Sequence, residues 1–334
     1  MDKTEITFVI QGEIQPEINL NIAAIKQLFP TSPVIVSTCN PIAYHISKAD
    51  KIIQNPDPGF FYYSKRKGER ANNINRQIVS TSAGLTAVET PYVMKLRSDF
   101  LLTGSSFLRY FDTQPCFDEK YRIFEHKVLA CCYCTRNPSV SLYPFPFHPA
   151  DIALFGLTDD VRKLFDIPLM TEDDAYWDAD HDYFNRYVPE QHIFINCLKK
   201  QNKVVECSCY KDNSPTNIRE TENYFVSNFI FLNYKNFNLK PKKTIFYAKN
   251  NIFSFASCYT QIETTKMYSK ILNDTVRLPI IDRERFYIRL CLFSKWLAKI
   301  IARIVFYMVP VQKIRKKWRP RLALLLYKIF TCFL

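Results

Sequence analysis

Glycine is scarce in this chain, six in 334 residues. So few make each one informative: Gly12, Gly59, Gly104 and Gly156 follow closely on apolar runs, where a backbone leaving a strand needs positive φ or close approach to a ligand. No internal repeat and no low-complexity segment is present. No secretory leader is read at the start, because MDKTEITFVIQGE runs straight into a strand pattern. The eleven cysteines are an odd number without paired C-x-x-C spacing. They read as reduced cytoplasmic thiols rather than a disulfide framework or a structural zinc site.

Acidic residues are nearly missing from one end. Between 283 and 334 there is one Glu against thirteen Lys and Arg, so this tail carries +12 of the formal +13 and the body about +1. The charge is therefore not a nucleic-acid signal. A basic tail interleaved with apolar runs points to an anionic membrane surface.

What is present is ample apolar material, 47% hydrophobic and 15% aromatic residues. That suffices for one large domain with an appendage. Residues 6–10 (ITFVI) form a β-branched run closed by Gln11 and Gly12, a strand buried on both faces. A helical period over 17–29 stops at Pro30. Residues 34–37 and 51–54 give two more short strands, the second followed by Asn55-Pro56-Asp57-Pro58-Gly59. Its prolines end the strand and leave the Asp57 carboxylate at the sheet's edge, expected beside the end of the first strand. A basic loop with Lys65, Arg66, Lys67 and Arg70 follows. Asn72 then caps a helix to about 89. Its first turn holds Asn72, Asn73, Asn75, Arg76 and Gln77, more amides than a solvated helix start requires.

The stretch 91–100, PYVMKLRSDF, is a buried strand that turns polar at Arg97, Ser98 and Asp99. In open α/β sheets ligands collect at such strand ends. There Asp99 can hold a hard divalent cation, Mg2+ or Mn2+, with Lys95, Arg97 or the loop cations assisting at a diphosphate. The alternative is that Asp99 only caps the next turn. Farther on, a short helix is expected at 107–111, strand-like segments at 122–133, a strand at 152–155, a helix from 159, a helix at 191–200 opened by Glu190, and a strand over 225–232. The order of elements predicts a mostly parallel α/β sheet. If the chemistry at this edge is an inverting transfer to a hydroxyl, Glu190 is the first candidate general base and Asp151, behind His148, the second; a retaining transfer needs no such base. Glu190 can equally be a helix-capping carboxylate.

A literal Asp-x-Asp at Asp178 and Asp180 is a rival metal site, but no apolar strand precedes it. Extended to Asp182 as a calcium loop it fails, with Tyr183 where Gly is needed and Pro189 where Glu is needed. In the tail, Arg285, Arg289, Lys295, Lys299 and Arg303 fall within an arc of roughly 120° on a helix. Each costs about 2.5 kcal/mol or more near a bilayer centre, so a helix in the headgroup plane fits better than a span. The other arrangement is a helical hairpin packed on the body or in an oligomer.

The pieces ITFVIQG, VSTCN, NPDPG, NNINRQIVST, YVMKLRSDF, HPADIALFGLTDDVRKLF and PEQHIF, in this order over about 5–200, resemble the WavE family of lipopolysaccharide-synthesis proteins. That family resembles GT-A glycosyltransferases. The resemblance implies a GT-A-like α/β fold with a mostly parallel, Rossmann-like sheet flanked by helices, and a nucleotide-sugar-dependent transferase building a bacterial surface glycan. The expected division is a catalytic domain at 1–245, a connection at 246–282 and basic amphipathic helices at 283–334. Gln11, Gly12, Asp57, Asn75, Arg76, Lys95, Arg97 and Asp99 are the expected donor-site residues. A lipid-linked or lipopolysaccharide acceptor and an anionic inner-membrane surface are the expected partners, with the protein peripheral on the cytoplasmic face. GT-A enzymes usually present Asp-x-Asp, and here Arg97 takes the first place, which puts the metal role of Asp99 in question. A nucleotidyltransferase on a related sheet and a non-catalytic membrane scaffold are the competing functions.

Overall fold

The computed structural model describes residues 3–15, 17–42, 45–63, 71–113, 118–178, 183–273, 279, 281–307, 309 and 312–332. The loop cations Lys65, Arg66, Lys67 and Arg70, and Asp180 and Asp182 of the rival motif, lie outside them.

Seven strands form the central sheet: β1 (Ile6–Gln11), β2 (Val34–Thr38), β3 (Lys51–Gln54), β4 (Tyr92–Arg97), β5 (Val128–Cys131), β6 (Ala153–Leu157) and β7 (Phe229–Leu232). They lie in the order β3-β2-β1-β4-β6-β5-β7, all parallel to their neighbours except β6, which runs antiparallel to β4 and β5. Apart from the exposed edge strand β3, the sheet is buried on both sides, and alternation along β1 divides its residues between two cores. Phe8 and Ile10 pack with Ile18, Ile22 and Ile25 of helix α1 (Ile18–Leu28), whereas Val9 packs with Ile74, Ile78 and Leu85 of α2 (Ile74–Thr86). This two-sided burial is why the strands read as continuous apolar runs. The second core also holds α3 (Thr158–Phe165), α4 (Pro189–Lys200), α5 (Pro215–Asn228) and α6 (Gln261–Leu272).

Gly84 sets how closely α2 approaches the sheet. A Cβ there would stand 2.5 Å from Val9 Cγ1 and 3.2 Å from Ser37 Cβ.

Two expectations change. The apolar stretch 225–232 is not one strand: Ser214 Oγ accepts from Asn217 N at 3.3 Å and starts α5, which runs to Asn228 and passes directly into β7. An apolar run that crosses a helix–strand joint without a loop carries no period to mark the change. Asp57 also does not sit beside the end of β1, because β2 pairs with both β1 and β3 and separates them.

The segment 246–282 is part of the body rather than a bare connection. Its Ile252, Phe255 and Cys258 join one core, and Tyr259, Met267 and Tyr268 the other. The tail forms two helices, α7 (Arg283–Val305) and α8 (Gln312–Cys332), packed on each other. Helix α7 begins on the body: Asp282 accepts from Arg285 N at 2.9 Å, and Arg285 Nε donates to Glu263 Oε1 at 2.8 Å. Ile288 and Cys291 are buried there. None of the described helices is long and apolar enough to cross a membrane.

Candidate active site

Gln11 and Arg97 are register partners at the carboxyl ends of β1 and β4. Here the strand order reverses, 3-2-1 to one side and 4 onward to the other, the place where open α/β sheets leave a crevice. Gly12 turns the chain away at φ +125°, and a Cβ there would meet Ser98 Oγ at 2.9 Å. Ser98 N in turn donates to Gln11 O at 2.8 Å. The turn after β1 is thereby stitched to the turn after β4.

Asp99 is buried and held by two cations. Arg97 Nε and Nη2 donate to its two oxygens at 3.1 and 2.9 Å, and Lys243 Nζ lies 3.4 Å away. Burial pushes this carboxyl up, but Arg97 and Lys243 outweigh burial and leave it below the usual range. Lys243 arrives from far along the chain because Leu239–Pro241 pairs antiparallel with Phe100–Leu102. Lys242 N then donates to Asp99 O at 3.0 Å, and Lys242 Nζ to Ser98 O at 3.0 Å.

Lys95 and Asp151 form a second, deeper pair. Lys95 Nζ is wholly buried, donates to Asp151 O and stands 3.4 Å from Asp151 Oδ2. Arg97 Nη1 is 4.0 Å from Asp151 Oδ1, and Gln77 Nε2 donates to Oδ2. Burial raises the Asp151 carboxyl, and Lys95 and Arg97 more than reverse the effect, so it is ionised and committed to its partners.

Glu190 behaves differently. It lies in the first turn of α4, where Gln191 takes the capping role by accepting from Val188 N at 3.3 Å. The Glu190 Oε2 is 3.3 Å from His148 Nε2. Burial first and the Asp151 charge second push this carboxyl up to about 7. Burial, aided by Arg136, lowers His148 to about 3, so the imidazole is neutral. Two carboxylates thus face one rim with opposite tendencies, Asp151 held charged and Glu190 poised near neutrality, which suits the second to proton transfer. The void between them is about 10 Å³, room for no more than about one water.

The amide-rich start of α2 binds the rim together. Arg76 Nε and Nη2 donate to Asp57 Oδ1 and Oδ2 at 2.7 and 2.6 Å, Gln77 reaches Asp151, and Ser80 Oγ accepts from Gln11 Nε2 at 3.0 Å. Asn72 Oδ1 accepts from Ile74 N at 3.1 Å. Asp57 and Asp99 sit in separate ion pairs; Arg76 holds Asp57, and the next residue, Gln77, reaches Asp151, which Arg97 of the Asp99 pair approaches to 4.0 Å. Asn75, expected at the donor, instead clips the Met170 backbone, donating to its O at 3.0 Å and accepting from its N at 2.8 Å. Lys95 is likewise sealed away from any ligand. Arg97, with 31% of its side chain exposed, and Arg76, with 25%, can reach one.

The residues at Asp99 do not fit a ready-made metal site. Both its oxygens already receive Arg97, and among the described residues no three His, Cys, Asp or Glu side chains gather as metal ligands. The sequence marks Gln77 only within the amide-rich first turn of α2 and gives no reason to place Lys242 and Lys243 at the site. The Pro-Lys-Lys run at 241–243 was the one available signal, and nothing local tied it to Asp99.

The family model for WavE lipopolysaccharide synthesis matches residues 6–302. The chain belongs to the WavE lipopolysaccharide synthesis family. The match extends past the expected 5–200 to include 246–282 and most of α7, in keeping with their burial in the body. As a WavE-family member the protein belongs to lipopolysaccharide synthesis, and its mostly parallel sheet flanked by helices is the α/β architecture expected from the sequence. Among curated proteins no relative matches. Among solved structures, one of an active-site mutant of LgtC aligns over 82% of this chain and 84% of its own, at 11% identity and a TM-score of 0.32. So low a score adds nothing to the assignment.

Proposed function

We propose that this WavE-family protein transfers a sugar from a nucleotide-sugar donor to a lipopolysaccharide or lipid-linked glycan on the cytoplasmic face of the inner membrane. The observation that carries the reading is the Glu190 carboxyl, pushed to about 7 beside a neutral His148, on the rim that exposes Arg97. Glu190 takes the proton from the acceptor hydroxyl as it attacks the sugar's anomeric carbon. The bond to the nucleoside diphosphate breaks, and the departing charge is met by Arg97, which Asp99 holds in place, and by Lys243. Asp57 and Arg76 lie farther along the rim and face the nucleoside. A divalent cation would add charge neutralisation at the diphosphate, but no step here depends on it.

The test is incubation of the full chain with acceptor-bearing membranes and labelled nucleotide sugars or nucleoside triphosphates. Nucleoside diphosphate release, lost in Arg97→Ala and retained in excess EDTA, supports the reading. Pyrophosphate release from triphosphates would assign a nucleotidyltransferase instead, and an unchanged glycan in Arg97→Ala cells would assign a scaffold.

A further inference from the structure

The two tail helices enclose a cleft of about 700 Å³ with Lys249 and Asn250 at one side. Six cations line it, Lys249, Lys295, Lys299, Arg303, Arg319 and Lys328, and among the described residues no acid does. Among the described residues none of the six forms an ion pair, although Arg285 on the same helix α7 is paired with Glu263. Lys295 and Lys299 crowd together over one ring, their Nζ atoms 4.1 and 5.9 Å from the centroid of Phe253. Burial, and then the charge of Lys299, lowers Lys295. Like charge concentrated in this way, exposed except at the half-buried Lys295, favours an anion.

The walls say which anion. Pro320, Ala323 and Leu324 give the cleft an apolar side, and Leu324 and Leu325 are more than half exposed beside it. On α7, Phe293, Trp296 and Ile304 are exposed as well. A free ion satisfies the cations and leaves this apolar surface in water; an amphiphile satisfies both. The volume lies within the range of small-molecule sites.

We propose that the α7–α8 cleft binds the phosphate headgroup of a single membrane lipid, with its acyl portion along Leu324 and the neighbouring apolar side chains. The short helix Ile252–Ala256 packs against α7 and follows the cleft residues Lys249 and Asn250. It presents Phe253 to the cleft lysines while Ser254 O accepts from Arg136 Nη1 at 2.8 Å. Because Arg136 also bears on His148 and Glu190, the lipid site and the candidate active site adjoin through one element. The inference rests on the membrane placement proposed above, and the test separates the two.

Full-length protein is titrated with phosphatidylcholine vesicles carrying phosphatidic acid, and with soluble dioctanoyl phosphatidic acid by calorimetry. Two triple variants remove equal charge: Lys295→Gln, Lys299→Gln, Arg303→Gln in the cleft, and Lys313→Gln, Lys316→Gln, Lys317→Gln on exposed positions of α8 outside it. Diffuse attraction to a charged surface would weaken both by about 100-fold. The expected result is that loss for the cleft triple, less than about fivefold loss for the other, and saturable one-to-one binding of the soluble lipid by wild type. Equal losses would keep the membrane placement and overturn the site, and absence of vesicle binding in wild type would overturn both. Inorganic phosphate binding as tightly as the lipid would overturn the lipid assignment. The wild-type calorimetry decides the matter should the cleft triple fail to fold.

Discussion

The rim of the sheet and the tail hairpin are both rich in cations, and they dispose of them in opposite ways. At the rim Arg97 has Asp99, Lys95 has Asp151 and Arg76 has Asp57. Five cations of the hairpin and Lys249 of the body share a cleft lined, among the described residues, by no acid. Charges paired within the fold position one another and hold a site's shape before a ligand arrives. Like charges gathered on one surface without acids among them attract anions from outside the chain. The contrast is the basis for proposing positioning at the first region and capture of an anionic lipid at the second.

Glu190→Gln attacks the least-paired acid of the rim. Transferase turnover should fall about 10²- to 10⁴-fold, and in wild type kcat/KM should drop about tenfold per pH unit below about 7. A flat wild-type profile would remove Glu190 as the base. Lys95→Met strands the buried Asp151 carboxylate, and urea unfolding should report a loss of about 3–5 kcal/mol. A loss under 1 kcal/mol would mean the pair is dispensable.

The same Glu190 also sets a pH dependence of stability. Its folded pKa is raised from 4.5 to about 7, so the stabilisation of the protonated form is present below 4.5 and disappears as pH rises through 7. Glu190→Gln, inactive, should therefore be more stable than wild type at pH 8.5 by up to about 3 kcal/mol, with little difference at pH 4. Gly84→Ala, pressing on Val9, should cost about 1–3 kcal/mol. The smallest effect belongs to the exposed pair. Asp57→Asn should leave the melting temperature unchanged and raise only the KM for the donor; a change in kcat would move Asp57 into the reacting centre.

Sequence pattern alone determined the elements that are buried through and through. Strands β1, β2 and β4, the start of α2 and the polar break at Arg97 to Asp99 were all legible, because burial on both faces forces unbroken apolar runs and strand ends force a return to polar residues. The unequal spread of charge along the chain was legible too. Tertiary structure alone decided the partnerships. That β2 separates Asp57 from the end of β1, that Lys243 crosses from the far side of the chain to Asp99, that Arg97 occupies both oxygens expected to hold a metal, and that Glu190 rather than Asp151 is left near neutrality all depend on pairings between segments distant in sequence. Hydrogen bonds and desolvation act over a few ångströms of space, and the distance along the chain carries no record of them.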